Sequence, residues 1–341
     1  MKKSNLLILI LLLLSRVATA QKSDLTRLFS DQQTLDIKLK VSIKDIKKKT
    51  NDSTYLPYMF YVKNAKGGWD SIKIDVRARG IFRRKNCYFA PLKIKSEKEN
   101  TKGTVLEGNK SLKLVLPCQN NDGKNVLLLK EYVAYKMYER ITPYYFNTRL
   151  ANVEFSELDG KKTKTFQLAG FFIEDDDKVA KRNKAKVMEK LNLHPLGLND
   201  TAALKHDLFQ FMIANTDWST TFLHNAKVMY KEPRTYIPLA YDFDMSGFVN
   251  PPYAEVNADL GITSVRDRLY RGFCRKEPVV QYVRQDFVRK EPEIMGVIEK
   301  YRTLFSEKEY ADMRSFIGEF FSIIKDDGKF NKYVVEGCRK K

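Results

Sequence analysis

Two short segments carry residue types whose order suits phosphoryl transfer. The first is Asn215-Thr216-Asp217-Trp218-Ser219, followed by His224-Asn225-Ala226-Lys227; the second is Tyr241-Asp242-Phe243-Asp244-Met245-Ser246-Gly247. Transfer of a phosphoryl group needs a side chain that orients the acceptor hydroxyl and oxygen ligands for Mg²⁺, which takes one or two carboxylates beside phosphate oxygens and waters. In this order Asp217 is the candidate catalytic positioner, Asn225 and Asp242 are candidate metal ligands, and Asp244 is a candidate second carboxylate on the same strand face as Asp242 if the strand stays regular. Asp217 and Asn225 are eight residues apart, so the residues between them must loop out. Asx residues also cap helices and make turns, so one Asp-x-Asp says little; the ordered set carries the argument.

The surrounding pattern indicates what holds these residues. Leu35–Val41 alternates apolar and polar residues, as do Asp70–Arg79, Pro91–Lys95 and Ser111–Leu116, the period of half-buried strands. Asn125–Ile141 has helical spacing, with Pro143 just beyond. Arg149–Leu158 and Thr163–Ile173 read as strands around an Asp159-Gly160 turn, and Glu174-Asp175-Asp176-Asp177 reads as an acidic crossing or hinge. Helices are expected over Lys178–Leu191, Thr201–Ala214, Pro278–Phe305 and Glu307–Ile324. The stretch from Asn215 to Arg275 is irregular apart from a hairpin, Val228–Tyr230 with Tyr236–Leu239, that leads into Asp242. Segregated strands and helices predict an α+β architecture in two lobes: a strand-rich N-lobe over 21–173 and a mostly helical C-lobe over 174–341, with the catalytic-type loops at 215–225 and 242–247.

The Asn-x-Asp loop, the later Asn and the Asp-x-Asp after a hairpin together resemble the spore-coat CotH-like kinase family, and more distantly the HipA-type and lipid-kinase-like proteins. Val76-Arg77-Ala78-Arg79-Gly80 resembles that family's Arg-Gly phosphate-loop region, Pro91-Leu92-Lys93-Ile94-Lys95 its following lysine-bearing strand, and Gly170-Phe171-Phe172-Ile173-Glu174 its Gly-x-Tyr-x-x-Glu stretch. The likeness runs from about Ile74 to Gly247. It implies a two-lobed atypical protein-kinase-like fold that binds ATP with Mg²⁺ or Mn²⁺. Arg79, Gly80 and Lys93 would then lie at the nucleotide phosphates, with Lys95 as the other lysine. The backbone at Ile173 and Glu174 would receive the adenine, and Glu131 would pair with the lysine. The competing reading of Glu131 is an exposed helix acid beside Lys130. After Gly80 the chain has Ile81, Phe82, Arg83, Arg84 and Lys85, whose guanidinium groups could bind phosphate bidentately.

The ends and the composition bound the setting. Lys2 and Lys3, the apolar run Leu6–Leu14 and Ala18-Thr19-Ala20 form the pattern of a secretory signal over residues 1–20, with Gln21 as the expected new N-terminus. No later segment is long and apolar enough for a membrane-spanning helix. The protein is therefore expected to be exported to a periplasm, a cell surface or the medium. The formal charge is +19, and +16 without Lys2, Lys3 and Arg16. Such a charge attracts phosphates or anionic polymers, although lysine-rich faces also serve solubility. Cys87, Cys118, Cys274 and Cys338 permit two disulfides in any of three connectivities; Cys87 with Cys118 is favoured because both fall in the strand-rich half. With three histidines and no zinc-type cysteine spacing, a structural zinc site and a metal hydrolase or nuclease centre are disfavoured. Two functions remain: an exported kinase acting on a protein or envelope acceptor, and a non-catalytic envelope or surface-binding protein whose basic face takes anionic polymers.

Overall fold

The computed structural model describes residues 25–121, 123–190 and 192–340. The expected signal segment lies outside the described residues. In chain order the principal elements are β1 (Leu35–Val41), α1 (Ile43–Lys49), β2 (Leu56–Lys63), β3 (Trp69–Ala78), α2 (Ile81–Asn86), β4 (Leu92–Lys95), β5 (Ser111–Val115), α3 (Lys124–Ile141), β6 (Thr148–Asp159) and β7 (Lys162–Ile173). They continue with α4 (Asp176–Arg182), β8 (Lys186–Val187), α5 (Asp200–Met212), β9 (Ala226–Lys231), β10 (Thr235–Ala240), α6 (Glu277–Lys300) and α7 (Glu307–Lys325).

The strands β1-β2-β3-β4-β5-β7-β6 form a closed barrel. Neighbours pair antiparallel except at the closure, where β1 runs parallel to β6 with Leu35 opposite Ala151 and Val41 opposite Glu157. Alternation along each strand sends one set of side chains inward, including Ile37, Leu39, Phe60, Ile72, Ile74, Ile94, Leu112, Val153 and Phe172, and these form the barrel core. The other set faces out. On β5, β7 and β6 it is apolar, and Val115, Phe171, Ile173 and Leu150 join a second core with α3, α5, α6 and α7.

Helix α3 lies between the barrel wall and the other helices, so it is buried nearly all round. Local chemistry sets several helix starts. Ser42 caps α1 by accepting from the Asp45 N–H, and Asn199 caps α5 by accepting from Ala202. Ser306 accepts from Glu309 at the start of α7, where Glu309 is the third residue of the helix.

The α+β class therefore holds, but the two-lobed kinase-like arrangement does not form. The strand-rich part is a closed mixed barrel, because β1 finds partners on both edges and closure satisfies backbone groups that an open sheet would leave bare. Strand β2 is absent from the sequence-based expectation. The helix expected over Lys178–Leu191 is also shorter: Asn183 ends α4, Lys184 takes a left-handed φ of 54°, and the chain adds β8 to the edge of the β9–β10 hairpin. The far end of that expected helix, Leu191, is outside the described residues. Both disulfides form, Cys87–Cys118 and Cys274–Cys338. Among the described residues no helix is long and apolar enough to cross a membrane.

Candidate functional site

The carboxylates singled out by sequence come together at the seam between the outer barrel face and the loops that follow α5 and β10. Asp217 is placed by the end of α5. Ala214 at φ 49° breaks the helix, and Asn215 ties back through its N–H to the Gln210 carbonyl (2.8 Å) and through its side-chain amide to Gln210 Oε1 (2.9 Å). The Asn215 Oδ1 then accepts from the Asp217 N–H at 3.0 Å, an Asx turn that presents the Asp217 carboxylate. Trp218 is core: it is buried, its ring packs edge-on to His206 at 4.7 Å, and its indole N–H donates to the Asn215 carbonyl. Arg271 clamps the loop from outside by donating to the Thr216 and Trp218 carbonyls.

The eight-residue interval closes as a tight turn. Ser219 and His224 exchange backbone hydrogen bonds of 2.8 and 2.9 Å, pinching off the residues between them. Leu223 and Asn225 take left-handed φ values of 52° and 45°, a conformation asparagine tolerates well. The Asn225 amide consequently reaches back and donates to the Asp217 carbonyl (2.8 Å) and to Oδ2 (2.9 Å), while His224 Nε2 lies 2.9 Å from Oδ1. Both carboxylate oxygens of Asp217 are thus held by neighbours, and the Asn225 amide nitrogen is committed to Asp217.

Strand β10 ends at Ala240, and Asp242 follows in the left-handed region at φ 60°. Its N–H donates to the Tyr135 hydroxyl on α3 at 2.9 Å. Despite this departure from regular strand, the Asp242 carboxylate lies near enough to Asp244 for its charge to act on the Asp244 carboxyl. Gly247 lets the segment close on α5: a Cβ there would stand 2.3 Å from the Val265 carbonyl oxygen and 2.9 Å from the Ala214 Cβ. Asp244 is buried and Asp242 half-buried. Burial and the Asp242 charge push the Asp244 carboxyl up to about 7, with Asp217 adding to the effect.

The acids face cations from the barrel. Arg83, from α2, is buried, with its guanidinium 3.5 Å from Asp244 and 3.6 Å from Glu131. Burial works against that charge, but Asp244 and Glu131 more than offset it and hold the guanidinium above its ordinary pKa. Glu131 sits one turn before Tyr135 on α3; burial lifts its carboxyl well above the usual range, and Arg83 offsets this only in part. Glu131 is therefore neither an exposed helix acid nor the partner of Lys93. Arg83 points inward to carboxylates, and Arg84 donates to the Lys47 and Thr50 carbonyls. The Arg79 guanidinium lies over the Tyr241 ring at 5.2 Å, and the Lys113 ammonium lies over the same ring at 5.0 Å. Gly80, at φ 76°, turns the chain into α2.

Lys93 and Lys113 are directly opposite in the β4–β5 register, with Arg77 opposite Lys93 on β3, so the three form a cationic row across the outer wall. Lys93 stands 3.9 Å from Asp175 and Lys113 pairs with Asp176, which also faces Lys227 at 3.6 Å. Burial pushes the Asp176 carboxyl up, yet Lys113 and Lys227 outweigh it and leave its pKa below the ordinary value. Lys95 turns away, its ammonium over Tyr55 at 4.4 Å. Glu174 is a buried lock: its carboxylate accepts from the Asn147 N–H (3.1 Å), the Asn147 side chain (2.8 Å) and Arg182, and its own N–H donates to the Asn147 carbonyl. Ile173 is paired on both sides, to Lys113 of β5 and to Thr148 of β6.

No protein-family model, curated protein or solved structure matches the chain. The site is read from its own geometry.

The structure thus gathers Asp217, Asn225, Asp242 and Asp244, brings Arg79 beside them, and places Lys93 on the adjoining row. It leaves Lys95 and Glu174 outside. Lys113 is not singled out by sequence, being one of several strand lysines by pattern, while Arg83 and Arg84, expected as phosphate-binding guanidiniums, are instead engaged by carboxylates and carbonyls of the chain itself. Among the described residues no group of three or more His, Cys, Asp or Glu side chains is arranged to hold a metal by itself. The Asp242–Asp244 pair suits a hard cation that takes only one or two protein carboxylates, and the buried Asp244 Oδ2 has no hydrogen-bond partner.

Proposed function

We propose that the protein is an exported, Mg²⁺-dependent phosphotransferase that moves the γ-phosphoryl group of ATP to a hydroxyl of a protein or envelope acceptor. The observation that carries this reading is the buried Asp244 beside Asp242, with the Arg83 guanidinium 3.5 Å from Asp244, on a segment whose Gly247 and Phe248 N–H groups donate to the Ala214 and Ile213 carbonyls just ahead of Asp217. The order of these acids is also what the resemblance to CotH-like kinases rests on. Asp242 and Asp244 would hold the metal, with Asn225 limited to orienting Asp217 through its amide. Bound there, Mg²⁺ supplies charge neutralisation at the phosphates. Arg79 and the Lys93–Lys113 row present positive charge to the same anionic groups. Asp217 accepts the proton of the acceptor hydroxyl, whose oxygen bonds to the γ-phosphorus; the bond to the bridging oxygen breaks, and ADP leaves with the electron pair. The two disulfides support an oxidising compartment.

A thermal-shift titration with ATP, with and without Mg²⁺, tests this. A ligand bound only by the folded state raises the melting temperature, by roughly 1–2 °C per kcal/mol for a chain of this size. We expect a metal-dependent rise that Asp242→Ala abolishes. An equal rise in Asp242→Ala removes the metal assignment. No rise at millimolar ATP removes the nucleotide reading and leaves the basic surface as the place to seek a ligand.

A further inference from the structure

A cavity of about 150 Å³ lies in the helical part of the molecule, and none of the acids of the seam lines it. Its walls come from three places: Leu204 on α5; Tyr270, Phe273 and Arg275 ahead of α6, with Val280 on the first turn; and Val334 and Val335 near the C-terminus. The C-terminal wall is held in place. Cys274 and Cys338, both in the lining, are bonded to each other. The Cys274 N–H donates to the Arg339 carbonyl and the Arg339 N–H donates to the Gly272 carbonyl, each at 2.9 Å. The cavity is therefore preformed.

Leu204, Phe273, Val280 and Val334 are buried and make much of the lining apolar. A void of about this size with apolar walls takes a benzene ring. Two buried donors interrupt that lining. Tyr270 is 3% exposed, and its hydroxyl has no hydrogen-bond partner among the described residues. The Arg275 side chain is 2% exposed. Its Nη1 donates to Asp200 and to the Leu198 carbonyl (3.2 Å), and its Nη2 to the Pro195 carbonyl (2.7 Å), but Nε has no partner. A buried donor left without an acceptor destabilises the fold. Two of them on the wall of a preformed apolar cavity point to an acceptor oxygen as part of what fills it.

Charge decides what kind of acceptor. Arg275 is met by Asp200, and the Arg339 guanidinium lies over the Phe273 ring at 4.4 Å. Glu277 lines the cavity, and Asp207 stands beside the Tyr270 hydroxyl: a Cβ on Gly272 would lie 2.3 Å from that hydroxyl and 2.7 Å from Asp207 Oδ2. A carboxylate entering here meets two acids, whereas a neutral carbonyl does not. Burial and Asp207 also raise the Tyr270 pKa well above its ordinary value, with Arg275 opposing, so the hydroxyl keeps the proton it would donate.

We propose that this cavity binds a small neutral molecule that joins a carbonyl oxygen to an aromatic ring. The carbonyl accepts from the Tyr270 hydroxyl, with Arg275 Nε–H the second donor of the same lining, and the ring lies among Leu204, Phe273, Val280 and Val334. The site does not depend on the phosphotransferase reading.

The test is a ligand-observed NMR titration of the mature protein with benzamide, benzoate and toluene. Benzamide is expected to bind with a dissociation constant on the order of a millimolar, and about tenfold tighter than the other two. Tyr270→Phe is expected to weaken benzamide about fivefold, to leave toluene unchanged and to keep the melting temperature. Val335→Trp, at the 43% exposed edge of the cavity, is expected to weaken benzamide and toluene alike. No saturable binding of benzamide, or benzoate binding as tightly, overturns the proposal. So does benzamide affinity left unchanged by Tyr270→Phe or by Val335→Trp, which would put the ring elsewhere on the molecule. If Tyr270→Phe lowers the melting temperature, toluene decides: a loss confined to benzamide supports the hydroxyl contact, and an equal loss of both overturns it.

Discussion

The barrel interior and the seam beside it treat charge in opposite ways. The core inside the barrel is built of apolar side chains, from Leu35 and Ile37 through Phe155 and Phe172, with buried polar groups such as Thr50, Asn109 and Arg149 at its margins. The seam and α3 hold Arg83, Lys113, Lys130, Glu131, Lys136 and Asp244, each nearly inaccessible to water. Lys130 is met by Glu309 and by Asp312 at 3.7 Å, and Lys136 by Gln32, Glu139 and the Thr148 carbonyl. Those groups are structurally satisfied. Around Arg83 the account does not balance: one guanidinium faces Glu131, Asp244 and the neighbouring Asp242. Buried ions add little stability compared with apolar packing of the same volume, so a molecule able to fill its barrel largely with apolar side chains has an excess of buried acid where chemistry would need it.

The sharpest way to break this comparison is to remove one group from each region. Phe172→Ala hollows the barrel, where the ring packs edge-on to Phe60, and is expected to cost about 3–5 kcal/mol in chemical denaturation. Arg83→Met keeps the volume but strands Glu131 and Asp244, and is expected to cost on the order of 3–4 kcal/mol. The two then diverge: adding Asp244→Asn recovers part of the loss from Arg83→Met and none of that from Phe172→Ala. If it recovers nothing, the seam is ordinary packing and the contrast fails.

A smaller effect is a dependence on pH. The Asp244 carboxyl is lifted from 3.8 to about 7 by burial beside Asp242. An acid whose folded pKa lies above its unfolded one takes up a proton on folding, so its contribution is fully present below the unfolded pKa and is lost as pH rises through the folded one. The metal-free protein is expected to be more stable at about pH 5.5 than at about pH 8, and Asp244→Asn is expected to flatten that difference. Urea midpoints at the two pH values decide it; an unchanged slope in Asp244→Asn assigns the dependence to other groups.

What the sequence revealed and what it hid follow from the range of the interactions. β1 was readable residue for residue because Leu35–Val41 alternates cleanly. β2 was not, because Leu56-Pro57-Tyr58-Met59-Phe60-Tyr61-Val62 is apolar on both faces and shows no period. Barrel closure leaves no local trace, since the parallel pairing of Leu35 with Ala151 joins distant segments. At the site, the aspartates were legible from their order. The role of Asn225 was not, because its reach to Asp217 depends on the pinched Ser219–His224 turn. The inward turn of Arg83 was hidden for a similar reason: Arg83, Arg84 and Lys85 look alike in sequence, and only the approach of Glu131 and Asp244 from distant segments distinguishes Arg83.

The same closure dictates a timetable. If the chain emerges from a translocation channel N-terminus first, β1 can zip to β2 early, but its other edge has no mate until residues 151–157 have cleared the pore. Loop closure over that span must be completed before the parallel pairing gives any return. Throughout that interval the newborn polypeptide presents a bare, hydrophobic β edge to its surroundings, which makes the wait for β6 the moment at which a chaperone has most to offer and a neighbouring chain most to spoil.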